Sequence, residues 1–101
     1  MPAIDFRKVR AVVSMRDVLE LLGFVPRISA GEQRRGVCPL HHSASPTSRV
    51  FSANLAKNAF RCFKCGATGN QLDLWAAATK QPLHEAAQDL CRRLNRPIPW
   101  Q

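Results

Sequence analysis

Two short half-sites, Cys38-Pro-Leu-His41 and Cys62-Phe-Lys-Cys65-Gly, constrain this chain more than any other feature. Each places two soft or borderline metal ligands three residues apart, and twenty residues separate the pairs. That interval is long enough for a loop and a strand pair to bring the halves back together. In a turn of the form C-x-x-C-G, both sulfurs point at one centre, and the glycine tolerates the backbone conformation that follows. Three sulfurs and one imidazole in a closed tetrahedron suit structural Zn²⁺, whereas an iron centre of the rubredoxin type uses four thiolates. The expected ligand set is therefore Cys38, His41, Cys62 and Cys65, holding one structural zinc. A redox Cys62/Cys65 pair is the competing reading, but such a pair sits between a strand and a helix, and here the pattern is a strand hairpin. Four filled positions leave no site to activate water, which excludes a catalytic metal.

A chain of 101 residues makes one domain, and a core this small needs a staple such as a metal. The formal charge of +8 falls to about +7 when a three-thiolate zinc site is counted. Its distribution carries more information than its size. Between Gln33 and Leu72 there is no Asp or Glu, while Arg34, Arg35, Arg49, Lys57, Arg61 and Lys64 all fall there. The positive field and the metal motif therefore coincide, which favours a polyanionic partner over a merely soluble cationic surface. No apolar run approaches the length of a membrane span and no signal peptide precedes the start, so a reduced, cytoplasmic setting is expected.

Residues 4–13 place Phe6, Val9 and Val13 on one helical face, with Arg7 and Arg10 opposite. Ser14 and Asp17 form a capping box for a second helix through Leu22, with Val18, Leu21 and Leu22 as its buried stripe and Gly23 as its stop. FVPRI and QRRGV then read as a hairpin that delivers Cys38, followed by the polar loop HSASPTS. RVFSA and AFRCF are a second strand pair, turning near Lys57-Asn58. Asn70 caps a helix carrying Leu72, Leu74, Trp75 and Ala78, and Pro82 opens a last helix as its first residue, with Leu83, Ala86, Ala87, Leu90 and Leu94 as its apolar face. The expected fold is α+β: a small zinc ribbon of about four to five antiparallel strands flanked by N-terminal and C-terminal helices. It forms a single domain over 1–101, divided into a helical segment 1–23, the ribbon 24–69, helices 70–94 and a tail 95–101.

His42 adjoins the ligand set, but C-x-x-H mirrors C-x-x-C and favours His41. His84 reads as an exposed polar residue and Cys91 as a buried structural one.

With these residues in place, the chain resembles the CHC2 zinc-finger family, the N-terminal zinc-binding domain of bacterial and phage replicative DNA primases. The likeness runs from about Phe6 to Leu94. It rests on the G-x-C-P-x-H segment Gly36–His41, Pro46, Phe51, Lys57, Phe60, and C-F-x-C-G-A-x-G from Cys62 to Gly69. The loop after His41 is longer than the family's, Asn70 replaces a common aspartate, and Arg61 stands where histidine is often found. In a primase such a module precedes a Toprim-type polymerase domain, for which this chain has no room and no D-x-D carboxylates. The resemblance therefore implies a DNA-binding module that is not an enzyme on its own.

The leading expectation is contact with single-stranded DNA, in replication or mobile-element processing, by a monomer. Strand alternation sets Arg61 and Phe63 on one face, with Phe60 and Cys62 on the other. The nucleic-acid residues would be Arg34, Arg35, Arg49, Phe51, Lys57, Arg61, Phe63 and Lys64, combining phosphate contacts with stacking rings. Of the phenylalanines, Phe60 is the one expected to pack the core instead. The competing function is a protein-interaction adaptor, docking a polymerase, helicase or transposase through the terminal helices and Trp100.

Overall fold

The computed structural model describes residues 3–40 and 50–100. Among the described residues, four helices accompany a five-stranded antiparallel sheet whose order follows the chain, β1-β2-β3-β4-β5. The helices are α1 (Phe6–Val12), α2 (Met15–Leu21), α3 (Gln71–Thr79) and α4 (Leu83–Arg93). The strands are β1 (Ile28–Ala30), β2 (Gln33–Gly36), β3 (Phe51–Asn54), β4 (Ala59–Cys62) and β5 (Thr68–Asn70). The expected α+β class holds, and the fifth strand is the piece that Gly66 and Gly69 concealed in the sequence.

Local signals set the helix ends. Asp5 caps α1 by accepting from the Lys8 amide. Ser14 and Asp17 close a reciprocal box at the start of α2, and Asn70 and Asp73 do the same for α3. After α2, Gly23 at φ +70° donates to the Glu20 carbonyl and Phe24 reaches the Leu19 carbonyl, the paired bonds of a Schellman stop. Pro82 is the N-cap of α4 rather than its first helical residue. At Gly69, φ is +155°, and a Cβ there would lie 2.5 Å from the Asp73 carboxylate, so only glycine lets β5 run straight into α3.

The sheet turns one face inward. Phe51, Ala53, Phe60 and Cys62 are buried and meet Val9, Val13, Met15, Val18, Leu72, Leu74 and Leu90 from the helices. The Phe51 ring lies 5.2 Å from Phe24 and 5.8 Å from Phe60, so the three form one aromatic slab. In α2 the buried stripe is Met15, Val18 and Leu19, while Leu21 is exposed, a shift of the apolar face around the helix. Likewise Leu83 is exposed, and Ala86, Ala87, Leu90 and Cys91 carry the inward face of α4. Burial pushes the Cys91 thiol above its usual range, so it stays protonated and packs as a small apolar group.

Side chains distant in sequence close the joints between elements. Asn58, at φ +50° in the β3–β4 turn, accepts from the Met15 amide and so satisfies a free N–H at the start of α2. Trp75 donates to Asp89, and the same carboxylate holds Arg93, whose guanidinium lies 5.2 Å over the Trp75 ring. The tail returns to the N-terminus: Ile4 pairs with Trp100, and the Asp5 amide donates to the Pro99 carbonyl.

Gln71 is the buried polar hinge of this arrangement. Its Nε2 donates to the Val13 carbonyl at 2.8 Å and the Arg10 carbonyl at 3.2 Å, covering the otherwise open C-terminal end of α1. Gln71→Met keeps the volume but leaves both carbonyls without a donor in a dry site. The expected cost is about 1–3 kcal/mol, or roughly 4–8 °C in melting temperature per kcal/mol for a domain this size. A thermal melt of the zinc-loaded variant that matches wild type would remove Gln71 from the joint.

Candidate metal centre and basic face

The metal centre forms where the ends of two hairpins meet. Cys38 lies two residues past the end of β2, and Cys62 is the last residue of β4, with Cys65 on the turn that leads back to β5. In that turn the Gly66 amide donates to the Cys62 carbonyl, with Gly66 at φ +78°. The Leu40 amide points at the Cys38 sulfur and the Cys65 amide at the Cys62 sulfur, both at 3.4 Å. The three sulfurs lie within 4.8 Å of one another, with Cys38 and Cys62 buried and Cys65 exposed.

This donor set fits zinc. A tetrahedral zinc with sulfurs at about 2.3 Å holds them roughly 3.8 Å apart, within the spacing the protein provides. None of the four cysteines is paired in a disulfide. Hard cations that prefer oxygen are poorly matched to three sulfurs. His41 and its neighbour His42 lie outside the described residues.

The outward face of the sheet carries the cations unevenly. Register sets Arg35 opposite Ser52, Ser52 opposite Arg61, and Arg61 opposite Thr68, in one row across β2 to β5. Beyond that row Phe63 stands 59% exposed, with the Arg61 guanidinium carbon 5.1 Å from its ring centroid and that of Arg35 at 5.6 Å. Lys64 is exposed on the adjacent turn, and Lys57 is exposed at the β3–β4 tip.

Two expected members of this face belong elsewhere. Phe51 is fully buried, because it pairs with Cys62 and so shares the inward face; alternation along β4 puts Arg61 on the other. Arg34 pairs with Ala53 and faces away from Arg35, its guanidinium held by the Gly31 and Gln33 carbonyls. Arg49 and Pro46 fall outside the described residues. Conversely, Gln33, Ser52 and Asn54 share the outward face of the sheet with Arg35 and Arg61, a set that a search for cations and rings passes over. Period-two alternation would have found them once the register was known.

Fold and site together define a zinc ribbon with a structural, thiolate-rich centre and helical flanks. Over residues 4–101 the sequence matches the CHC2 zinc finger, and the chain belongs to that family. Among curated relatives, the DNA primase of Synechocystis sp. is 36% identical over 76% of this chain, and that of Synechococcus elongatus 30% identical over 96%. The chain spans only 12% and 14% of those two proteins. A crystal structure of the Aquifex aeolicus primase, containing its zinc-binding and RNA polymerase domains, has the same fold. It superposes with a TM-score of 0.74 at 24% identity, covering 95% of this chain and 23% of that one. Zinc is accordingly the structural cofactor here. Among the described residues no helix is long and apolar enough to cross a membrane.

Proposed function

We propose that this chain is the zinc-stabilised, nucleic-acid-binding module of a primase-type replication system, and that it grips single-stranded DNA on the open face of its sheet. The supporting observation is the exposed Phe63 ring, flanked by the guanidinium groups of Arg35 and Arg61. An aromatic face stacks on any base, and cations beside it meet the flanking phosphates. Lys64 extends the positive field on the knuckle and Lys57 contributes from the β3–β4 tip; Arg49, outside the described residues, is proposed as a further cation. His41 supplies the fourth ligand, which closes the metal site and leaves the zinc a purely structural part. The module acts as a monomer in the cytoplasm. It synthesises no primers by itself, since the carboxylates that hold catalytic Mg²⁺ belong to a polymerase domain; the relatives named above are full primases several times its length.

If three to five cations touch phosphates, affinity for a single strand falls with a log–log salt slope of roughly −2 to −3.5. Arg61→Ala and Lys64→Ala each reduce that slope by about 0.7 with zinc content unchanged. Phe63→Ala loses about 1–3 kcal/mol of binding with little change in slope, because stacking releases no counterions. Salt-titrated fluorescence anisotropy with a labelled oligonucleotide checks all three variants. Wild-type binding by an Arg61/Lys64 double alanine variant would remove this face from function.

A second reading rests on a different surface. Val12 and Trp100 are 43% and 45% exposed, and α1 and the tail frame an apolar groove lined by Ala11, Val12, Pro97 and Pro99. Lys8 lies at the same groove; an adaptor that docks a polymerase or helicase would use that side, and its binding would depend less on salt than that of a cationic face.

A further inference from the structure

We propose that the groove between α1 and the C-terminal tail docks an acidic segment of a partner protein, in which carboxylates flank one apolar side chain. The inference rests on the docking reading of that surface given above and adds the chemistry of the partner. α1 buries Val9 and turns Lys8, Ala11 and Val12 the other way, at the i, i+3 and i+4 positions of one helical face. Pro97 and Pro99 form the opposite wall, and the groove between has a volume of about 280 Å³. The tail that carries this wall is fastened at both ends. Asn95 turns the chain at φ +55°, and the Arg96 amide donates to the Cys91 carbonyl at 2.8 Å. Further on, the Pro99 carbonyl accepts from the Asp5 amide at 2.8 Å. The groove is therefore formed before a partner arrives, which lowers the ordering cost of binding.

Charge decides what fills it. Lys8 lines the groove at the first turn of α1, with Arg7 exposed beside it. At the other end, the Arg96 side chain donates from Nε to the Val12 carbonyl at 3.3 Å and from Nη1 to the Leu94 carbonyl at 3.2 Å. Those bonds hold a second cation about one helical turn, roughly 6 Å, from the first. Asp5 is the single carboxylate in residues 3–13 and 94–100, and it is engaged as the cap of α1. A second copy of this chain on a twofold axis would set like charges against each other, so the groove does not suit self-association. Pro97 and Pro99 have no amide N–H to offer a partner strand, and recognition falls to side chains. No aromatic ring lines the groove for a base to stack on. An apolar side chain between the walls, with carboxylates meeting Lys8 and Arg96, satisfies both the floor and the rim.

The test uses the zinc-loaded full chain and a short fluorescein-labelled Gly/Ser peptide with a central Leu flanked by Asp on both sides, read by anisotropy. The peptide should bind, and replacing its Leu by Ser should weaken binding roughly 10-fold or more, since the buried apolar group is lost. Replacing its Asp residues by Asn should weaken binding about 5-fold or more. Val12→Asp sets a carboxylate in the wall and should abolish binding. Lys8→Glu should lose the Asp peptide and gain one with Lys in place of Asp, a reversal that a merely structural role of Lys8 would not produce. Both side chains are exposed, and zinc content with a thermal melt confirms that the variants keep the fold. Equal binding of the Asn-flanked and Asp-flanked peptides overturns the acidic assignment and leaves docking in place. No binding by any of the peptides overturns both. An oligo-dT strand is the last arm: if Lys8→Glu and Val12→Asp weaken its binding while no peptide binds, the groove serves nucleic acid and the proposal falls.

Discussion

Stripped of zinc by a strong chelator, this protein is expected to lose its cooperative fold, and Cys62→Ser should reproduce that state without chelator. Structural zinc contributes on the order of 10 kcal/mol or more to small metal-bound domains. Whole domains are stable by only about 5–15 kcal/mol, so the metal term is comparable to the entire margin. The geometry explains why the loss spreads. Cys38 lies just past the β1–β2 hairpin and Cys62 ends β4, and both are part of the buried core. Without the metal, two thiol groups and the strand ends that carry them lose their common anchor. Circular dichroism with zinc back-titration reads this directly. His41→Ala should weaken zinc retention far more than His42→Ala, which distinguishes the two candidate fourth ligands. A native-like apo form that melts cooperatively would refute the structural role.

Phe51→Ala is expected to be the most damaging single change away from the metal. The ring is fully buried between Phe24 and Phe60, and its strand partner is the ligand Cys62. Removing a buried phenylalanine costs about 3–5 kcal/mol in lost transfer energy and cavity. For a domain of this length that lowers the melting temperature by on the order of 12 °C or more. Phe63→Ala is the matched control: its ring is exposed, so stability should change by no more than about 0.5 kcal/mol while DNA binding falls. Thermal melts of both zinc-loaded variants decide the matter. A Phe51→Ala protein with wild-type stability and weakened DNA affinity would return Phe51 to the binding face.

The features legible in the sequence are those whose physical cause closes over three or four residues. The half-sites Cys38-x-x-His41 and Cys62-x-x-Cys65 announce a metal because a tight turn aims neighbouring ligands at one point. The boxes Ser14–Asp17 and Asn70–Asp73 are likewise written in residues three apart, and both formed as the spacing requires. The helix stop at Gly23 and the turn at Asn58 follow from positive φ, a property of single residue types. What only the tertiary structure decided is which way each strand residue faces. Within β3 the alternation of Phe51, Ser52, Ala53 and Asn54 is plain, but which pair turns inward depends on alignment with Cys62 and Arg61 in β4. A slip of one residue exchanges the two faces, and the energy that fixes the register comes from helices distant in sequence. For the same reason Gln71 reaching the end of α1, and the tail returning to Ile4, have no local trace. Those contacts exist only once packing has excluded water from the groups that need partners.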